Sequence, residues 1–404
     1  MSASTPNQVL AGVRVIDLGQ ALAGPFAATM LGDFGAEVIK VERPGAGDPM
    51  RRLGPQKNGV PLWWKAAGRN KKSITLDFTA PRGREILLDL VRQSDVVVEN
   101  FRPGTLERHG LGWDELSALN PRLVMLRISG FGQTGPESGR PGFGRVAEAM
   151  AGSAQLSGYA EGPPIHVGYS LADTLAGLMG AYGLVLALLG RDRTGRGECI
   201  DVALFEPLFR LIDWQVTVYE QLGMVPMRAG NHFPELLEGV AAGVGQSADG
   251  IWLTYSAATD SVLVRLIGLV MGQEAFASSE YATAIERRIH CGQVEAAVEA
   301  WIAERDAADV EAQFAQSHAV IGRVFDMEAI WSNPTYRARD DIVTLPDDDL
   351  GEVSMHGVVP KLVERPGKVQ HPGPSLGEHT AEILKELAGV DDAALTELKQ
   401  QGII

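Results

Sequence analysis

The chain has 404 residues, 45% of them hydrophobic, and a formal net charge of −15 from 36 Lys and Arg against 51 Asp and Glu. That length can bury large cores, in two domains or one elaborated one. The acidic balance excludes a general binder of nucleic acid or anionic membranes, whose affinity comes from neutralising phosphates.

The first eight residues hold no basic stretch leading into an apolar one, so the expectation is a soluble cytoplasmic protein without a secretory signal. Strand and helix patterns then alternate. Residues 13–18 read as a buried strand, and Gly24-Pro25 opens a helix through Leu31. Segments 36–42, 72–77, 95–99 and 123–129 are further apolar strands, with amphipathic helices at 82–93 and 113–119. Strands separated by helices predict a parallel, doubly wound α/β sheet covered on both faces. Ligands of such sheets lie beyond the C-terminal strand ends, which directs attention to the loops after Leu18, Glu42, Glu99 and Ser129. No G-x-G-x-x-G follows the first strand, so the nicotinamide and flavin fingerprint is absent.

Asp173 heads a run without charge from Thr174 to Gly190. Two readings stand: a helix N-cap, or a nucleophilic carboxylate kept ionised by the helix-end field while facing a dry acyl pocket. The run is slightly short for a membrane span and carries Gly177, Gly180 and Gly183, which predicts a buried helix with close backbone contacts. A polar turn at 191–197 precedes a strand at 198–202 and a mostly apolar helix across 203–222. An irregular glycine-rich stretch, 228–250, ends in a hairpin turn at Ala248-Asp249-Gly250, followed by a strand at 251–255. Helical patterns at 259–271, 281–288 and 294–318 place a second domain at 226–324. The tail carries strands within 351–363 and a final helix at 381–387.

Basic residues gather at the predicted sheet ends: Arg43, Arg69, Lys71, Lys72, Arg102 and Arg108. As a cluster they predict a phosphate site; singly, each is a solvated charge pairing with Glu42, Glu99 or Glu107. The loop at 129–136 contains Gly130, Gly132 and Gln133, whose N–H groups suit a ligand or a developing oxyanion as well as an ordinary Gly-Pro turn. Cys199 and Cys291 are far apart, and the eight histidines show no ligand pattern, so no disulfide scaffold and no metal are expected. No G-x-S-x-G elbow appears.

Taken in order, these segments resemble the class III CoA-transferases, the CaiB/BaiF or formyl-CoA transferase family. The matching stretches are 18–25, 35–48, 70–77, 95–104, 120–123, 129–136, Asp173 with Gly177, 194–197 and 376–380. The resemblance implies a Rossmann-like parallel-sheet large domain plus a smaller α/β domain in an interlocked homodimer, or a hetero-oligomer with a related subunit. Residues 1–225 would begin the large domain, 226–324 form the small one, and 325–404 return to the first. It implies CoA held by Arg43, Lys71 or Lys72, Asn100, Phe101 and Arg108, with Asp173 as nucleophile. Acyl-CoA and a small carboxylic acid would be substrates, with no permanently bound cofactor, nucleic acid or membrane partner. Asp173 would attack a donor thioester to give a mixed anhydride, then an aspartyl-CoA thioester that an acceptor acid opens. Segments 142–150 and 256–260 look more like members using succinyl-CoA with dicarboxylic acceptors, where Arg145 would clamp the distal carboxylate. Leu22 stands where formyl-CoA transferases carry Gln, with Gln20 nearby, and 239–245 is the nearest counterpart of their four-glycine loop. Two rivals remain: an α-methylacyl-CoA racemase, whose His base is missing from 142–145, and a non-catalytic CoA-binding subunit.

Overall fold

Alternating apolar side chains decide the architecture of the first half. The computed structural model describes residues 8–232 and 240–404. Its main sheet comprises β1 (Arg14–Asp17), β2 (Glu37–Glu42), β3 (Lys71–Thr75), β4 (Val96–Glu99), β5 (Val124–Ser129) and β6 (Cys199–Ala203), in the order β3-β2-β1-β4-β5-β6. Every neighbouring pair is parallel. Ile16, Ile39, Val97 and Met125 join one core, whereas Val15, Val38, Val96 and Val124 join another. Period-two alternation therefore gives the sheet two apolar faces, and each needs helical cover.

One face is covered by α1 (Ala23–Asp33) and, further along the chain, by α5 (Gly144–Met150), α6 (Leu171–Thr194) and α7 (Phe205–Leu211). The other takes α3 (Pro81–Arg92), α4 (Trp113–Leu119), α9 (Thr380–Ala388) and α10 (Asp392–Gln400). A short helix, α2 (Leu62–Ala67), lies between β2 and β3 in the chain, and α8 is Cys291–Ala303. Strand order reverses between β1 and β4, so the loops after these two strands frame the ligand crevice.

Contacts divide the chain into two units. The first comprises residues up to Ala151, Gly168–Leu211 and Pro334–Ile404; the second comprises Gly152–Val167 and Ile212–Asn333. The second unit has an antiparallel sheet of β7 (Ala241–Gln246), β8 (Trp252–Ala257) and β9 (Ile321–Arg323), in the order β9-β8-β7. Leu253, Tyr255, Val294 and Phe314 fill its core. It thus takes in residues 152–167, 212–225 and 325–333, outside the expected span of 226–324. The helix expected over 203–222 breaks into Phe205–Leu211 and Gln215–Leu222, with Asp213 at φ 38°. The chain leaves the first unit at that turn.

Three other expectations need correction. The glycine-rich stretch 228–250 is not irregular throughout, because Ala241–Gln246 pairs with β8 across the predicted turn. The same strand contains most of the proposed glycine-loop counterpart, whose Gly239 lies outside the described residues. The tail hairpin pairs β10 (Ile342–Asp347) with β11 (Gly351–His356); Pro346 hides β10 from a propensity reading, yet a two-stranded ribbon tolerates it.

Candidate active site

Two loops meet at the strand-order reversal and lock each other. Gln20 N–H donates to Asn100 Oδ1 at 2.7 Å, and Asn100 Nδ2 returns a bond to Gln20 O at 2.9 Å. Ala21 beside them takes φ 56°, a left-handed conformation costly for a residue with a Cβ, and its N–H is held by Asp48 Oδ1 at 3.1 Å.

A buried ionic network fixes this loop from below. Lys71 Nζ donates to Asp17 Oδ2 at 2.9 Å and to Pro25 O at 2.6 Å. Lys40 Nζ donates to Gly19 O and lies 3.3 Å from Asp48 Oδ2. Glu42 accepts both Arg51 Nε and Nη2 at 2.7 Å and Ser73 Oγ at 2.6 Å, while Arg51 stacks 3.8 Å over Trp64.

This network removes half of the expected phosphate cluster. Lys71 is enclosed by Asp17 and Pro25, and Lys72 pairs with Glu37 and Glu382 at 2.9 and 3.1 Å. Arg69 forks onto Asp33 at 3.1 and 2.5 Å. All three precede or begin β3, whereas ligands of a parallel sheet gather after strands. Arg43, Arg102 and Arg108 follow β2 and β4 instead. All three are exposed, and the guanidiniums of Arg43 and Arg102 make no hydrogen bond among the described residues. Among the described residues the Arg108 guanidinium reaches only Thr105 Oγ1, at 3.4 Å.

Two cavities open on the crevice. One, of about 340 Å³, is lined by Leu18, Gln20, Arg43, Leu76, Phe78 and Phe101. Phe78 and Phe101 meet edge to face with centroids 6.1 Å apart. The other, of about 470 Å³, is lined by Gln20, Met50, Trp63, Asn100, Phe143 and Asp173, among others, and Asp173 is its sole charged lining residue. Gln20 borders both.

Asp173 is the third residue of α6, and Ser170 occupies the N-cap position without a side-chain bond. The capping reading is thereby set aside. No hydrogen bond reaches the Asp173 carboxylate among the described residues, although a buried carboxylate ordinarily finds donors. Burial, and next the charge of Glu148, raise its pKa above the usual aspartate value. Both act against the ionised form that the helix-end position was expected to favour.

Small residues let α6 approach its neighbours. A Cβ on Gly177 would lie 2.7 Å from Ala23 O, and one on Gly180 2.7 Å from Leu126 Cδ2. The helix nevertheless is not wholly buried. Leu178, Tyr182, Leu186 and Leu189 form an outward apolar stripe, with Tyr182 58% exposed. At 24 residues, with hydropathy reaching 1.6, α6 is long and apolar enough to cross a membrane by length and composition alone, contrary to the expectation from the shorter run.

Ser129 and Gly130 of the loop after β5 line the Asp173 cavity, but Gly132, Gln133 and Arg145 do not. Gly132 takes φ 83°, and Gln133 gives its backbone N–H to Asp201 Oδ2 at 2.9 Å, while its side-chain Nε2 is buried without a partner among the described residues. Arg145 is exposed, with Nη1 3.7 Å from Glu148. Sequence reading singles out neither Phe78 nor, within 142–150, Phe143 and Glu148; Glu148, five residues after Phe143 and flanked by Ala147 and Ala149, is the available signal.

Sheet order and crevice define a doubly wound α/β protein of the dinucleotide-binding topology. Residues 10–380 match CoA-transferase family III. A succinyl-CoA–D-citramalate CoA-transferase of Chloroflexus aurantiacus is 41% identical, covering 99% of this chain and 100% of that relative. The β subunit of a succinyl-CoA–L-malate CoA-transferase from the same organism is 42% identical over 100% of both. A solved CaiB/BaiF family protein from Brucella suis has a TM-score of 0.83 at 31% identity, covering 94% of this chain and 100% of that one. The chain belongs to CoA-transferase family III, and it is a class III CoA-transferase.

Proposed function

We propose that this enzyme moves CoA from succinyl-CoA to a dicarboxylic acid, with Asp173 as the acyl carrier. The observation that carries the reading is the Asp173 carboxylate, alone in its charge among the cavity's lining residues and without a hydrogen-bond donor among the described residues. The adjoining cavity suits the nucleotide end of CoA: Phe78 and Phe101 would flank the adenine, Arg43 in its lining would meet the phosphates, and Arg102 and Arg108, next in the chain to the lining residues Phe101 and His109, would add positive charge. Pantetheine would run past Gln20 and Asn100 toward Asp173.

Asp173 attacks the donor thioester carbonyl; the C–S bond breaks and CoA leaves as thiolate. The thiolate then attacks the Asp173 carbonyl of the anhydride, releasing the donor acid and leaving an aspartyl-CoA thioester. The acceptor carboxylate repeats the exchange in reverse. A carboxylate suits both roles because it serves as nucleophile and as transient acyl group. Met50, Trp63 and Phe143 give the cavity apolar walls, and the anhydride requires that water be kept from it during turnover.

The dicarboxylate preference rests on the relatives named for citramalate and malate, not on Arg145. Racemisation gains no support, since 142–145 supplies no histidine base. Purified protein incubated with succinyl-CoA and a panel of mono- and dicarboxylic acids should form new CoA esters with dicarboxylates first. Equal turnover of monocarboxylates would refute that preference. Arg43→Ala should raise the KM for succinyl-CoA about tenfold while leaving kcat near its starting value, as lost phosphate binding predicts.

A second copy of this chain, or a related subunit, is proposed to cover the apolar stripe on α6. An exposed stripe of four large apolar side chains exceeds what scattered surface hydrophobics require. Light scattering should give about twice the 43.3 kDa chain mass, and Leu186→Glu should shift it toward monomer. A monomeric wild type would refute self-association.

A further inference from the structure

Glu148 is an acid with only 3% of its surface exposed, set between Ala147 and Ala149 on α5. It lies one helical turn after Gly144, so the two share a face. That face is turned to the nucleophile: a Cβ built on Gly144 would stand 2.7 Å from Asp173 Oδ2. α5 packs against α6 and α7. Charged groups lie on each of the elements around this pair. Arg145 Nη1 is 3.7 Å from Glu148, on an exposed side chain. Glu206 and Arg210 belong to α7, and Glu206 accepts the Ala203 N–H at 2.8 Å. Arg127 on β5 is held by Glu99 and Glu107, both at 2.8 Å. Asp201 on β6 accepts the Gln133 N–H, and Asp33 on α1 is held by Arg69. None of them hydrogen-bonds Asp173.

We propose that Glu148 is a positioning residue for acyl transfer, its carboxylate disfavouring the free Asp173 carboxylate and thereby favouring the states in which Asp173 is acylated. The inference rests on the reading of Asp173 as nucleophile. In the first step an Asp173 lone pair forms the new C–O bond, the thioester C–S bond breaks, and the electron pair leaves on sulfur. One negative charge thus moves from Asp173 to the CoA thiolate, without any proton transfer. In the second step the thiolate forms a C–S bond to the Asp173 carbonyl, and the pair of the breaking C–O bond leaves on the released acid. Asp173 is neutral in both covalent intermediates. A fixed negative charge beside it therefore raises the resting enzyme relative to both intermediates. It also makes the free carboxylate more basic and hence a better nucleophile. The upward shift of the Asp173 pKa agrees with this.

The test compares wild type, Glu148→Gln and Glu148→Asp in single turnovers with succinyl-CoA. Mass spectrometry reads the fraction of enzyme carrying CoA on Asp173, and the acylation rate is followed against pH. Removing the charge lowers the Asp173 pKa, so in Glu148→Gln the acid limb should move down by about one pH unit. The ratio of aspartyl-CoA enzyme to free enzyme should fall about tenfold, since one pKa unit corresponds to that factor. Glu148→Asp, which keeps the charge, should hold the wild-type limb. An unchanged limb and covalent fraction in a folded Glu148→Gln overturns the proposal, as does an equal displacement in Glu148→Asp. If Glu148→Gln does not fold, Glu148→Met takes its place with the same two outcomes. Failure of wild type to label Asp173 at all would instead refute the nucleophile reading.

Discussion

Asp173→Asn is expected to lower CoA transfer by about 10⁴-fold or more, because the amide neither attacks a thioester nor carries CoA. The same variant should still bind CoA, since Arg43, Phe78, Phe101 and Arg108 belong to the neighbouring loops. Hydroxylamine added to wild type after acyl-CoA should modify Asp173, and the variant should show no such adduct. Stability should move the other way. Burial raises the Asp173 pKa in the folded chain, with Glu148 adding to it. The ionised carboxylate is thus disfavoured by folding: its penalty is absent below the unfolded aspartate pKa and grows as pH rises through the folded value. At neutral pH the variant should therefore melt at the same temperature as wild type or higher, with any gain vanishing in acid. Retention of a tenth of the activity, with hydroxylamine labelling elsewhere, would sink the nucleophile assignment.

The contrast between lost activity and kept stability separates the two roles a carboxylate can have at the head of a helix. A capping Asp accepts N–H bonds, so its removal costs about 1 kcal/mol. Asp173 accepts none among the described residues and occupies the third helical position. Sequence alone left both readings open, because an acid before an apolar run looks the same whether it caps or reacts. What separated them was the N-cap position of Ser170, a detail of backbone geometry.

The sheet was legible because its strands are buried on both faces and read as apolar runs. Element ends were less so: β3 begins at Lys71, where the pattern suggested Lys72. That small shift matters little beside an error of direction. Sequence position groups Arg69, Lys71 and Lys72 with Arg43, Arg102 and Arg108 as sheet-end cations, yet they sit at the start of a strand and the others after one. Parallel strands put these two ends on opposite edges, so the distinction follows from strand direction alone. Glu148 was a different case. An acid in a short helix reads as solvent-facing, and only the packing of α5 against α6 and α7 buries it. Likewise nothing local tells that the Gln133 N–H is spent on Asp201, sixty-eight residues away.

Asp17→Asn should be among the most destabilising single substitutions in the chain, although Asp17 touches no substrate. Its carboxylate is fully buried and meets Lys71 Nζ at 2.9 Å, with Lys40 Nζ 3.8 Å away. Burial works to lower the pKa of both lysines; at Lys40 the charges of Asp17, Asp48 and Glu42 overcome it, and at Lys71 they do not. Neutralising Asp17 leaves two buried ammonium groups with Asp48 and Glu42 as the nearest anions. Removing one partner from a buried pair costs about 3–5 kcal/mol, because the other charge stays desolvated and uncompensated. Urea unfolding at pH 7 reads this loss. Pairing the change with Lys71→Met should recover a large part of it, since the second substitution removes the orphaned charge. The pH dependence supplies a sign check. Without Asp17 the folded-state pKa of Lys71 falls further, so folding is penalised while the group must stay protonated. The penalty shrinks as pH climbs from that depressed value toward the unfolded lysine value of about 10.4. The deficit of Asp17→Asn should therefore be largest near neutrality and narrower at pH 10. An equal deficit at both, unrelieved by Lys71→Met, would show that side-chain shape and not charge holds the loop after β1 over the crevice.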